Sequence, residues 1–291
     1  VFILGTARSG STALAEMVAS ACGLDLARGK ESHYLASAAL QRPTGGPDGA
    51  RFDRLRARSK QEFDALFSRG GAAVRLDAST SSLYYAESAV AVLDEFFPDA
   101  RLVAVLRDPV TRALSAHRFM RARGLETLSF ADALEAEETR VDAGWSHIWH
   151  YARTGVYSRQ LEALSHWRER TLFLLYERDL ADPAVLARRV SEHIGQDVVN
   201  PVELLTRNAA RPFVSPKVGR AAEWLHSQGI VRRAPAPVRA VGRRAVARLR
   251  DSSLQPEPAL DIGALQALYR GEASRVSSLT HLAAQEVWTI A

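Results

Sequence analysis

Cysteine is nearly absent from this chain, Cys22 being the only one in 291 residues. An internal disulfide and a cysteine-based metal site are thereby excluded, which fits a reducing compartment and predicts a cytoplasmic protein. Between Ala21 and Gly23 the thiol reads as small and buried. No uninterrupted apolar run approaches the ~18 residues of a membrane helix, so no span is expected. No charged segment precedes the apolar start, and the chain begins at Val1 without methionine, which points to a leader or tag removed ahead of it. A strong charge of one sign is lacking too: 38 Lys and Arg stand against 33 Asp and Glu, a net +5 that only weakly favours an anionic ligand.

What is present suits a folded, soluble chain, with 47% hydrophobic and 24% charged residues. "VFILG", "AVRLDAS", "RLVAVLRD" and "TLFLLYERDL" read as buried strands. Between them "STALAEMVASACGL", "SLYYAESAVAVLDEFF", "DPVTRALSAHRFMRARG" and "DPAVLARRVSEHIG" read as helices, and "IGALQALYRGEASRVSSLTHL" as one more near the C-terminus. "QRPTGGPDGA" reads as a loop and "RRAPAPVR" as a break. Strands alternating with helices predict an α/β fold with a central parallel sheet flanked by helices on both faces.

The first strand runs into "GTARSGST", which nearly matches the phosphate-loop template GxxxxGK[ST]. Gly5, Gly10 and Thr12 fall into place, but Ser11 stands where the lysine should be. A loop leaving a buried strand and opening a helix presents free backbone N–H groups and the positive end of the helix dipole. Gly10 lets the backbone approach an anion, Ser11 and Thr12 add hydroxyls, and Arg8 adds a cation. The missing lysine speaks against a magnesium-dependent ATPase or GTPase.

A second motif follows in "RLVAVLRDPVTRALSAH". Arg107 ends a strand, where ligands bind in open α/β sheets, and Ser115 lies eight residues on, in the helix that Asp108 caps and Pro109 begins. Arg107 can grip a phosphate with two parallel hydrogen bonds and Ser115 can donate a third. With both motifs in this order, the sequence resembles the PAPS-dependent sulfotransferases, whose donor is 3′-phosphoadenosine 5′-phosphosulfate (PAPS). Their first motif is matched by Arg8, Ser9, Gly10, Ser11 and Thr12, their second by Arg107 and Ser115. The resemblance extends through "GVYSRQLEAL" and "LFLLYERDLADPAVLARRVSEHIG" and covers most of the chain, implying one P-loop-like, three-layer domain over residues 1–291.

The resemblance implies that the first loop holds the 5′-phosphosulfate and Arg107 with Ser115 the 3′-phosphate, with no metal and with adenosine 3′,5′-bisphosphate (PAP) as product. Arg8, where many members carry lysine, stabilises the leaving oxygen without readily donating a proton. "GKESHYL" resembles the segment that carries the family's catalytic glutamate. Glu31 is the candidate base and His33 the fallback, with Lys30 near donor or acceptor. "LDASTSSLYY" resembles a segment at the mouth of the acceptor site, with Ala78 in place of a lysine and Thr80 in place of proline. Asp77, Ser79 and Ser81 are its candidate substrate contacts.

"GWSHIWHYARTGVYSRQL" gathers Trp145, Trp149, Tyr151 and Tyr157 with His147 and His150; its aromatics suit an acceptor platform or a packing face equally well. The two histidines have metal-ligand spacing, but no third ligand accompanies them, and no metal is expected. Arg207, Lys217 and Arg220 are candidates for a late loop over the 3′-phosphate. The arginine-rich stretch Arg232–Arg250, within a basic insertion at 231–260, is a candidate acceptor-docking element. It has no stacking aromatics, which argues against nucleic acid as a partner. The acceptor expected is a hydroxyl on a small molecule, a glycan or a carrier-bound intermediate. The alternatives are a P-loop small-molecule kinase and a non-catalytic nucleotide-binding protein.

Overall fold

The computed structural model describes residues 1–29, 31–40, 43–68, 74–202 and 262–290. Lys30, the three late-loop cations and the basic stretch 231–260 lie outside the described residues. Five strands form one parallel sheet in the order β2-β3-β1-β4-β5, with β1 Phe2–Gly5, β2 Asp25–Leu26, β3 Arg75–Ser79, β4 Leu102–Leu106 and β5 Thr171–Leu175. Four of the five were expected. At two residues β2 is too short to carry a periodic pattern.

Alternation along each strand sends side chains to both faces, and both are buried. Phe2, Leu4, Leu102, Ala104, Leu106, Phe173 and Leu175 join one core. Ile3, Leu76, Ala78, Val103, Val105 and Leu174 join the other. Leu14, Met17 and Val18 of the helix Ser11–Ala21 close the second core, with Leu186, Val190 and Ile194 of the helix Pro183–Ile194. The first core is closed by the helices Ala86–Phe96, Pro109–Ala122, Tyr157–Ala163 and Glu272–Thr280. The result is the three-layer α/β arrangement that the strand–helix alternation predicts.

The segment 262–282 differs from its expectation of one helix. It forms two, Gly263–Leu268 and Glu272–Thr280, parted at Gly271, whose φ of 77° is left-handed. The helix expected from Ser82 begins instead at Ala86, since Ser79–Ser82 form a turn whose hydroxyls serve the site. Among the described residues no helix is long and apolar enough to cross a membrane.

Candidate active site

With β1 between β3 and β4, the turns that leave these three strands emerge side by side at one edge of the sheet. The chain crosses from one side of β1 to the other here, the switch point at which open α/β sheets leave a crevice. The turn after β1 is drawn tight by Ser9. Its hydroxyl donates to the Thr6 carbonyl at 2.8 Å and accepts from the Thr6 N–H at 3.2 Å. Ser9, an expected anion contact, is fully buried, and its two bonds to Thr6 shape the loop. Gly5 lies under it, where a Cβ would stand 2.9 Å from Ser9 Oγ.

Gly10 caps the helix Ser11–Ala21 at φ 90° and, as a glycine, supplies no side chain to bond its first-turn N–H groups. The first-turn N–H groups, Ser11 and Thr12 are thus grouped where an anion would be favoured. Arg8 also has a positive φ, 75°, unusual for a residue with a Cβ. That conformation carries its side chain to the second motif: Arg8 Nε donates to Ser115 Oγ at 3.1 Å, and its guanidinium lies 4.9 Å from the Phe119 ring centre.

Arg107 Nη1 donates to the Arg8 carbonyl at 2.8 Å while its guanidinium stacks on Tyr176, 4.5 Å from the ring centre. Arg107 Nε is buried with no hydrogen-bond partner among the described residues. Burial and, next, the Arg107 charge push the Arg8 guanidinium below its ordinary value. Asp108 fixes the turn behind Arg107. It caps the helix through the Thr111 N–H at 2.8 Å, and its other oxygen accepts from the N–H and hydroxyl of Thr289, each at 2.9 Å.

On the other side of β1, the turn after β3 gathers the second group of expected residues. His33 takes a positive φ of 51°, held by its N–H to Ser79 Oγ at 3.0 Å and Nδ1 to Ser81 Oγ at 2.8 Å. Ser79 donates to Asp77 at 2.9 Å, and Asp77 accepts from the Ser32 N–H at 3.3 Å. Asp77, Ser79 and Ser81 are all buried, and each bonds to the 32–33 turn or to its neighbour. Their observed partners are Ser32 and His33, so these side chains, expected as substrate contacts, brace the 32–33 turn. Burial pushes the Asp77 carboxyl up to about 6, against the pull of its serine partners. Glu31, with 28% of its side chain exposed, approaches His33 Nε2 to 3.5 Å and accepts from Thr80 Oγ1 at 3.4 Å. At the usual strand spacing of ~4.8 Å, the β3 and β4 turns stand roughly 10 Å apart across the β1 loop.

The aromatic stretch is chiefly packing. Trp149, Tyr151 and Tyr157 are fully buried, and Trp149 Nε1 donates to Asp48 at 2.8 Å. His147 and His150 go to different partners, Thr80 and Tyr84, and no group of metal ligands occurs among the described residues. Tyr176 and Phe119 were not foreseen. Phe119 stands four residues after Ser115, on the same helix face, and Tyr176 directly follows β5 at the edge of the sheet from which the β1 and β4 turns emerge. Those two placements are the signals that could have found them.

A parallel sheet whose switch point gathers the start of the helix Ser11–Ala21 and two arginines defines an α/β protein with a candidate anion site there. Residues 1–200 match the model of the sulfotransferase family, and the chain belongs to that family. It is similar to human heparan sulfate glucosamine 3-O-sulfotransferase 3B1, 27% identical over 179 residues that cover 59% of this chain and 44% of that protein. The mouse heparan sulfate glucosamine 3-O-sulfotransferase 6 is 32% identical over 155 residues, 46% of this chain and 42% of that protein. The chain thus spans less than half the length of the curated relatives it matches. A solved sulfotransferase from Alicyclobacillus acidocaldarius shares the fold with a TM-score of 0.72 at 22% identity, over 96% of this chain and 94% of that one.

Proposed function

We propose that the chain is a PAPS-dependent O-sulfotransferase that moves a sulfonate to an acceptor hydroxyl by in-line displacement. The observation that carries the reading is the junction of the two phosphate motifs at Arg8, bonded through Nε to Ser115 and through its carbonyl to Arg107. Two guanidinium groups held this close repel, and an anion between them turns that cost into attraction. Family membership supports the choice of donor. Arg107 Nε, buried and lacking a partner among the described residues, suits a phosphate oxygen.

In this reading the N-terminus of the helix Ser11–Ala21, with Ser11, Thr12 and Arg8, holds the phosphosulfate end, and Arg107 with Ser115 holds the 3′-phosphate. When bound, the donor supplies a sulfonate activated by a phosphate leaving group. Arg8 stabilises the charge that develops on the leaving oxygen, as a fixed cation whose proton stays in place. Glu31 accepts the proton of the acceptor hydroxyl, and Asp77, Ser79 and Ser81 hold the 31–33 turn for that task. Fixed donors and cations meet the phosphate charge, so the reaction needs no metal. The acceptor is a hydroxyl on a small molecule, a glycan or a carrier-bound intermediate, in a cytoplasmic setting.

Titration calorimetry with PAP and no magnesium is the first test, and binding in the micromolar range is expected. Tighter binding of magnesium ATP would support a kinase. Glu31→Gln should keep PAP affinity and lose about 100-fold or more in kcat. Turnover retained in that variant would move the base to His33.

A further inference from the structure

Beside Glu31 stand two residues with no part in the chemistry so far, Thr80 and His147. A carboxylate only accepts hydrogen bonds, so across the 3.4 Å to Glu31 Oε2 the proton comes from Thr80 Oγ1. A hydroxyl has one proton to give. With it directed at Glu31, Thr80 can only accept from His147 Nε2, which lies 3.2 Å away. Nε2 must therefore carry hydrogen.

The surroundings of His147 select the same form. The ring is 2% exposed, and burial, followed by the neighbouring His33, pushes its pKa well below the ordinary imidazole value. A neutral ring with hydrogen on Nε2 leaves Nδ1 bare. Nδ1 is buried without a hydrogen-bond partner among the described residues, and an acceptor tolerates that better than an N–H does. The rings of Phe52, Tyr85 and Tyr84, at 5.8, 6.1 and 6.1 Å, hold the imidazole in place.

We infer that His147 and Thr80 are positioning residues for Glu31. They form a one-way chain of hydrogen bonds from the core imidazole, through the threonine hydroxyl, to the carboxylate. The chain orients the carboxylate and favours its ionised form, the form a base requires. This rests on Glu31 as the base. Among the described residues, the other titratable or charged groups facing the chain include His33 and Asp77 around Glu31, and His33, His150 and Arg112 around His147.

The test is the pH profile of kcat in four variants of the full chain, beside PAP affinity by calorimetry. Thr80→Val removes the hydroxyl at nearly constant shape, and should lower kcat at pH 7 by about 10-fold and raise the acid limb by about one pH unit. PAP affinity should not move. Thr80→Ser keeps the hydroxyl and should recover most of the loss. His147→Leu should shift the acid limb in the same direction by less, and His147→Gln, whose amide can place an N–H near the former Nε2, should recover part. A wild-type acid limb in Thr80→Val, or Thr80→Ser as impaired as Thr80→Val, overturns the inference. If near-UV circular dichroism shows that His147→Leu does not fold, the Thr80 pair decides alone. Glu31→Gln separates the two levels. Retained turnover there overturns the base assignment and this inference with it, whereas an inactive Glu31→Gln beside an unshifted Thr80→Val overturns the positioning role only.

Discussion

Replacing Gly10 by alanine perturbs both phosphate motifs through one atom. The residue sits at φ 90°, where a Cβ costs about 1–2 kcal/mol in backbone strain alone. The added methyl would stand 2.7 and 2.8 Å from two atoms of the Tyr176 ring and 3.0 Å from Leu180, inside ordinary contact distance. Such overpacking typically costs a further 1–3 kcal/mol, so a total of about 2–5 kcal/mol is expected. Relief requires the ring to move, and the Arg107 guanidinium lies on that ring at 4.5 Å. Loss of the stacking weakens the second anion contact by about 0.5–2 kcal/mol, roughly 2- to 30-fold in affinity. Equilibrium urea denaturation measures the first effect and calorimetry with PAP the second. A double-mutant cycle isolates the cause: in a Tyr176→Ala background Gly10→Ala should cost the backbone share, about 1–2 kcal/mol, and the smaller contribution of the Leu180 contact. An equal cost in both backgrounds, or wild-type PAP affinity in Gly10→Ala, would refute the coupling through Tyr176.

Ser115→Ala removes the acceptor for Arg8 Nε and should weaken PAP binding about 5- to 20-fold with little change in stability, as calorimetry beside denaturation would show. Thr289→Val deletes the hydroxyl half of the bond pair to buried Asp108 and should cost about 1 kcal/mol, read by denaturation, with a smaller loss of PAP affinity through the Arg107 turn. Asp77 binds its proton more tightly in the folded chain, at about 6 against 3.8. Its contribution is therefore most favourable below pH 4 and declines as pH rises through 6, by roughly 3 kcal/mol in all. Denaturation at pH 4.5, 6 and 8 should show Asp77→Asn gaining on the parent as pH rises; a constant difference would contradict the buried, raised carboxyl.

Much of the site was legible because it is local. The turn after β1 and the Arg107-to-Ser115 segment each lie within a dozen residues, so glycine, hydroxyl and arginine spacing mark them without knowledge of the fold. The same holds for Asp108 and Pro109, which start their helix as their positions predict. Locality also explains what stayed hidden. The helical period runs on through 262–282, and nothing in that pattern marks Gly271 as a break. The residue types of Asp77, Ser79 and Ser81 suggest substrate contacts, whereas their burial and their bonds to residues 32 and 33 belong to the folded chain and leave no mark on local spacing.

The sequence by itself determined the class of fold, the two segments proposed to bind phosphate and the glutamate beside His33, since each depends on the chemistry of neighbours along the chain. The tertiary structure decided how they combine. Strand order sets β1 between β3 and β4 and so brings Arg8 to Ser115 across 107 positions of sequence. It also sets Tyr176 under Arg107 and directs His147 through Thr80 toward Glu31. Those pairings arise from hydrophobic burial on both faces of the sheet, a force that has no direction along the chain and leaves no spacing to read.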